Sequence, residues 1–224
     1  MMVNNKFSVF VFSKTAGYRH ESIPVGIESI RQLGASSDAF TVDSSEDASL
    51  ITVKNISRYA AIVFLQTSGD FLNADQLAEL QSYVRGGGGF VGIHCAAAGM
   101  TNDPWYGQLI GAVFTDHPEP QDGVLAVENR GHVIVSGLPE EWEWFDEWYN
   151  FDANPREKVT VLLSINEETY KGGKLGEDHP LAWCREFDGG RSFYTSLGHF
   201  EEAYADPAFM DHLLNGILWA ARRV

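Results

Sequence analysis

Two histidines stand where short apolar runs end. Gly89–Ile93 has the pattern of a buried strand and leads directly into His94-Cys95, while Arg191–Leu197 leads into Gly198-His199. In open α/β sheets the carboxyl ends of the strands face the ligand crevice, so a side chain placed there is set for chemistry. Imidazole titrates nearest neutral pH and also ligates metals, so such a pair suits proton transfer or metal binding. Other polar groups follow the same arrangement. Tyr18-Arg19-His20 and Thr67-Ser68-Gly69-Asp70 come after strand-like runs, and Asp178-His179-Pro180 precedes one. Asp146-Glu147 offers two carboxylates beside Trp142, Trp144 and Trp148. Each has a plainer reading: a loop histidine satisfied by hydrogen bonds, a solvated acidic pair, a tryptophan cluster that is core and not a sugar-stacking platform. His132 and His212 read as ordinary surface or partly buried positions.

Two familiar chemistries fit poorly. The run Gly86–Gly89 precedes its strand at a helix C-terminus, whereas phosphate loops lie between a strand and a helix N-terminus, so it reads as a helix stop and tight turn. Cys95, one place past the turn, points away from where His94 points and reads as structural. No His-x-His or His-x-x-x-His pair and no cofactor motif is present. A divalent metal such as zinc, held by dispersed histidines and carboxylates, is one open option.

Composition narrows the partners. The formal charge of −15 argues against nucleic acid and anionic membrane surfaces, and leaves a neutral small molecule as the expected ligand. A hydrophobic content of 44% over 224 residues is enough for one ordered domain, taken as residues 1–224. Met1–Lys6 shows no apolar leader and no run reaches membrane-spanning length. With two cysteines in no metal-type spacing, a reduced cytoplasmic location is expected.

The elements that must position these groups read as follows. Strands are expected at Lys6–Phe12, Phe40–Val42, Ala60–Leu65 and Gly89–Ile93. A helix opens at Ser22-Pro24 and stops at Gly34, and a second runs from an Asn73/Gln76 capping box to Gly86 as its left-handed stop. This alternation predicts a parallel doubly wound sheet. Trp105–Leu109 reads as a short helix, and the rest of Asp103–Asn154 as irregular. Val159–Ile165 is a strand, and Leu181–Phe187 with Arg191–Leu197 forms a hairpin about Asp188-Gly189-Gly190 that sets His179 nearly opposite Gly198 or His199. A last helix opens at Asp206-Pro207, with Met210, Leu213, Leu214, Ile217, Leu218 and Ala221 on one face.

Taken together, Gly17–His20, Thr67–Asp70, Gly87–His94, His117-Pro118, Asp146–Asn150, Asp178–Pro180 and Thr195–His199 resemble the ThuA-like, trehalose-utilisation family over almost the whole chain. The resemblance implies a flavodoxin-like fold of the class I glutamine amidotransferase type: three layers, mostly parallel, with a C-terminal antiparallel hairpin. In those amidotransferases a Gly-Ile-Cys turn carries the nucleophile; here Gly92-Ile93-His94 stands in its place, so glutamine amidotransfer is not expected. The resemblance implies instead a role in carbohydrate catabolism, on a keto-sugar or related glycoside, by lyase, hydrolase or isomerase chemistry with or without a metal. On that footing His94, His199 and Glu147 are the catalytic candidates. Tyr18, His20, Asp70, His117, Trp148, Asp178 and His179 are candidates for binding sugar hydroxyls or a metal. The rival is a non-catalytic sugar-binding or regulatory module that retains only the pocket. A homo-oligomer is the expected assembly.

Overall fold

A computed structural model describes residues 6–224, so the reading of Met1–Asn5 as free of an apolar leader lies outside the described residues. The elements in chain order are β1 (Phe7–Phe12), α1 (Ile23–Ser36), β2 (Phe40–Ser45), α2 (Val53–Ile56), β3 (Ala61–Leu65), α3 (Ala74–Arg85) and β4 (Gly89–Ile93). There follow α4 (Pro104–Ile110), β5 (Phe114–Asp116), β6 (Gln121–Val127), β7 (Glu141–Asp146), β8 (Asn150–Phe151), β9 (Thr160–Ile165), β10 (Pro180–Phe187), β11 (Gly190–Thr195) and α5 (Pro207–Ala220). This is a mixed α/β fold on one large sheet of nine strands, ordered β2-β1-β3-β4-β11-β10-β9-β6-β7. From β2 to β11 every pairing is parallel; from β11 to β7 every pairing is antiparallel. Only β10 and β6 therefore run against the rest. The carboxyl ends of β1, β3, β4, β11, β9 and β7 share one rim, which the start of β10 joins.

The central strands β3 and β4 are buried at every position, which explains their unbroken apolar runs. α3 begins with the capping box: Asn73 accepts from the Gln76 amide and Gln76 from the Asn73 amide, both at 2.9 Å. Its end differs by one residue from expectation. Gly86 has φ −74° and Gly87 carries the left-handed φ of +95°. Gly87 N–H bonds to Val84 O and Gly88 N–H to Tyr83 O, the paired bonds that close a helix when the residue after its cap turns left-handed.

Three expectations are corrected. α1 does not stop at Gly34 but continues to Ser36; Gly34 is there because a Cβ would come within 2.5 Å of the Phe40 ring. Asp103–Asn154 holds four strands where an irregular segment was expected. In β7 the inward Trp142 and Asp146 alternate with outward Glu141, Glu143 and Phe145, a period-two pattern that tryptophan and phenylalanine on both faces obscured. The buried stripe of α5 runs through Phe209, His212, Leu213, Gly216 and Ile217, so His212 is a fully buried core residue and not a surface one.

Among the described residues no helix is long and apolar enough to cross a membrane.

Candidate functional site

Backbone contacts between loops build the rim before any side chain is placed. Ala16 N–H bonds to Ser68 O at 2.7 Å and Gly69 N–H to Ala98 O at 3.2 Å, so the loops after β1, β3 and β4 extend the parallel pairing beyond the strands. Ser68 Oγ donates to Tyr18 O at 2.6 Å, holding the segment that carries His20.

His94 follows β4 with φ +51°, a conformation that costs a residue with a Cβ on the order of 1 kcal/mol and concentrates at functional sites. The Tyr194 hydroxyl, donating to His94 O at 2.9 Å, helps hold it there. The imidazole is fully buried. Its Nδ1 lies 2.6 Å from Ser196 O, which can only accept, so the proton is on Nδ1 and Nε2 presents a lone pair. Around that lone pair stand Tyr149 Oη at 2.9 Å, His199 Nδ1 at 3.2 Å and Glu147 Oε2 at 3.4 Å. Glu147 Oε2 is also 3.2 Å from His199 Nδ1, and its Oε1 is 3.1 Å from His117 Nδ1.

Asp146 sets this meeting. Almost fully buried at the end of β7, it accepts the backbone amides of Glu147, Gly198 and His199 and the Trp144 indole N–H. Ser22 Oγ donates to His199 O at 2.6 Å, and Gln66 Nε2 donates to Gly198 O at the same distance. Ser22, expected to cap α1, makes no side-chain cap and fastens the His199 loop instead.

Electrostatics follow burial. Burial opposes charge on Glu147, yet the hydrogen bond from His199 and the nearness of His94 hold its carboxyl well below the usual range. Burial likewise opposes protonation of His199, and the contact with Glu147 more than offsets it, raising the imidazole. Burial and the neighbouring His94 and His199 push His20 down to about 2, so that ring is neutral at physiological pH. Its Nδ1 is buried with no hydrogen-bond partner among the described residues, and its ring meets those of His94 and His199 edge-on at 4.9 Å. His20, His94, Glu147 and His199 each offer a ligand atom, all within 4.8 Å of one another.

A cavity of about 490 Å³ opens over the cluster, within the size range of small-molecule sites. Tyr18, His20, His117, Glu147 and His199 line it, with Tyr149 on its wall. A slightly larger hollow of about 550 Å³ around Phe145 and Phe200 holds none of the clustered imidazoles.

Five sequence candidates do not line the cavity; one of them, His94, lies fully buried beneath it with Nε2 near Glu147 and His199. Asp70 is exposed, because Gly69, with φ +68°, turns the chain so that Ser68 and Gly69 form the wall. Trp148 is wholly buried against Gly123 and Tyr170, a core residue. Asp178 pairs outside with Arg156 and Asn154. His179 is buried, donates from Nε2 to Tyr149 O at 2.8 Å and meets Glu167 Oε1 through Nδ1 at 2.8 Å, so it braces the backbone of Tyr149. Tyr149 itself was not singled out. Its signal was present, two residues beyond Glu147 at the same rim, but a tyrosine among so many aromatics reads as core. Cys95 is buried and burial pushes its thiol up to about 11, which leaves no thiolate near neutral pH.

Comparison with known proteins gives a consistent result. A family model described as trehalose utilisation, ThuA, matches residues 8–220. A thua-like protein from Bacteroides uniformis has a similar structure, with TM-score 0.79 and 25% identity over 96% of this chain and 91% of that one. Another from Parabacteroides merdae has TM-score 0.81 and 22% identity over 96% and 90%. A β-galactosidase from Bacillus circulans shares the fold across 95% of this chain but 31% of its own, with TM-score 0.62 and 12% identity. No curated protein sequence matches the chain significantly.

Proposed function

The chain belongs to the ThuA, trehalose-utilisation family, and from that premise we propose that it is an enzyme of carbohydrate catabolism that processes a keto-sugar or keto-glycoside by proton transfer at His94, His199 and Glu147. The observation that carries this reading is the meeting of two imidazoles on one ionised carboxylate at the floor of the cavity.

A ketone at C3 of a glycoside acidifies the C2–H bond. A base takes that proton, the electron pair forms a C1–C2 double bond, the C1–O bond breaks and the leaving oxygen takes a proton. Such chemistry needs one group that accepts a proton and one that donates it, both near neutral pKa. The bare Nε2 of His94 suits the first role. His199, raised by Glu147, suits the second. His117, partly exposed at the cavity wall, and Tyr18 at its mouth suit the sugar hydroxyls and ring. The flavodoxin-like, amidotransferase-type scaffold accounts for the strand-end placement, while the buried Cys95 thiol argues against amidotransfer.

The test is incubation of the purified protein with a 3-keto-disaccharide while monosaccharide release is followed. Turnover that falls at least about a hundredfold in His94→Ala, in line with loss of a positioned acid/base group, supports the reading. Ligand-induced thermal stabilisation without turnover, unchanged in His94→Ala, replaces it with a sugar-binding module.

A further inference from the structure

We propose that His20, His94, Glu147 and His199 bind one divalent transition-metal ion of the zinc class. This rests on the reading above for the ion's chemical purpose, and on geometry for its place.

The first argument is the spacing of donors. His94 Nε2, His199 Nδ1 and Glu147 Oε2 form a triangle with edges of 3.2, 3.2 and 3.4 Å. Metal–ligand bonds of about 2.0–2.1 Å in a tetrahedron put neighbouring donors roughly 3.3–3.4 Å apart. The triangle is one face of such a tetrahedron.

The second argument is proton accounting. With Nδ1 donating to Ser196 O, His94 Nε2 has a single lone pair, yet three polar atoms approach it within 3.4 Å. The Tyr149 hydroxyl can donate to that lone pair and His199 Nδ1 to Glu147 Oε2, which leaves three ligand-type atoms gathered about one point, as an ion would need them. His20 supplies the independent sign. It is buried and edge-on to both other rings, and among the described residues its Nδ1 has no hydrogen-bond partner. Its position beside three converged donors makes it the fourth group able to ligate there.

The third argument is the support behind the donors. Ligating histidines characteristically give their second N–H to a carbonyl or carboxylate, which fixes tautomer and orientation. His94 does so to Ser196 O at 2.6 Å. The far oxygen of Glu147 is held by His117 at 3.1 Å, leaving Oε2 as a single ligand atom. Three imidazoles and one carboxylate select zinc, cobalt, nickel or iron over magnesium or calcium, which prefer all-oxygen shells. An ion here would polarise the ketone oxygen of the substrate and stabilise the enediolate. With Nε2 of His94 and Nδ1 of His199 on the ion, the two rings would act through it and not as the free base and acid proposed above, so loaded and stripped protein separate the two roles.

The experiment strips the protein with chelator and titrates it with Co(II) alone. The expected result is one Co(II) per chain with the intense visible bands of a tetrahedral nitrogen-rich site. His199→Gln and Glu147→Gln should each weaken binding at least about tenfold, the scale seen even for outer partners, while His132→Ala binds like the parent. Circular dichroism confirms folding; should His94→Gln unfold, the rim variant His199→Gln carries the test. Absence of stoichiometric Co(II), or a weak octahedral spectrum indifferent to these variants, overturns the proposal. Undiminished keto-sugar turnover in stripped protein overturns the ion's role and leaves the proposed function standing. Stoichiometric tetrahedral Co(II) without turnover does the reverse.

Discussion

The Asp146 carboxylate accepts the backbone amide of His199 at 3.2 Å and thereby joins the strand that delivers Glu147 to the loop that delivers His199. Asp146→Asn keeps the shape but turns an NH₂ group toward the amide donors it now accepts. Leaving such buried donors unsatisfied costs about 1–3 kcal/mol. Chemical denaturation should show a loss of that size, and kcat should fall more than KM rises because the donors are displaced while the cavity wall persists. Unchanged stability and kcat would mean that the clamp does not hold the loop.

Gly34→Ala tests helix propensity against packing. Alanine favours a helix interior by about 1 kcal/mol over glycine, but its Cβ would meet the Phe40 ring at 2.5 Å and the Phe40 carbonyl at 2.6 Å. Overpacking costs about 1–3 kcal/mol, so the variant should melt lower than the parent. Because one obstacle is backbone, Phe40→Leu should not restore it. A higher melting temperature would show that α1 and β2 separate freely.

Stability should depend on pH through His212. Burial outweighs its contact with the Ile134 carbonyl and lowers the imidazole to about 4 from an ordinary 6.5. Between those values the unfolded chain binds a proton that the folded chain does not, so this contribution is whole above about 6.5 and is lost as pH falls toward 4. The slope approaches about 1.4 kcal/mol per pH unit. Urea midpoints for His212→Gln should show a shallower dependence across that window. Parallel curves would place the titration elsewhere.

Asn73→Ala removes one half of the α3 capping box and should cost about 1 kcal/mol, read as a lower urea midpoint with an unchanged slope.

Asp70→Ala and Asp178→Ala should leave kcat/KM within about twofold of the parent, since surface positions away from a site usually have small effects. Asp70 is exposed off the cavity, and Asp178 pairs with Arg156 at 2.5 Å on the outside. A large loss in either would return it to the site.

The parts of this fold that were legible are those whose signal is local. The capping box at Asn73, the apolar runs of β3 and β4 and the turn at Asp188–Gly190 each depend on a few neighbouring residues. The strand-end histidines were legible for the same reason. What escaped depends on distant contacts. Gly34 reads as a stop until Phe40 is seen against it. Trp148 and Tyr149 are adjacent aromatics, yet one is sealed in the core and the other faces His94. His20 and Asp70 both follow strands, and a single left-handed glycine decides that only one reaches the cavity.

β11 lies between β4 and β10, so residues separated by 102 positions, His94 and Ser196, are bonded neighbours. A ribosome-bound chain halted before residue 190 already contains β1 to β4, His20, His94 and Glu147, but neither the carbonyl that orients His94 nor the ring of His199. Closing so long a loop is slow relative to local structure. The cluster of His94, Glu147 and His199 therefore closes only once residues 190–199 have been made, as one event with insertion of β11 into the sheet.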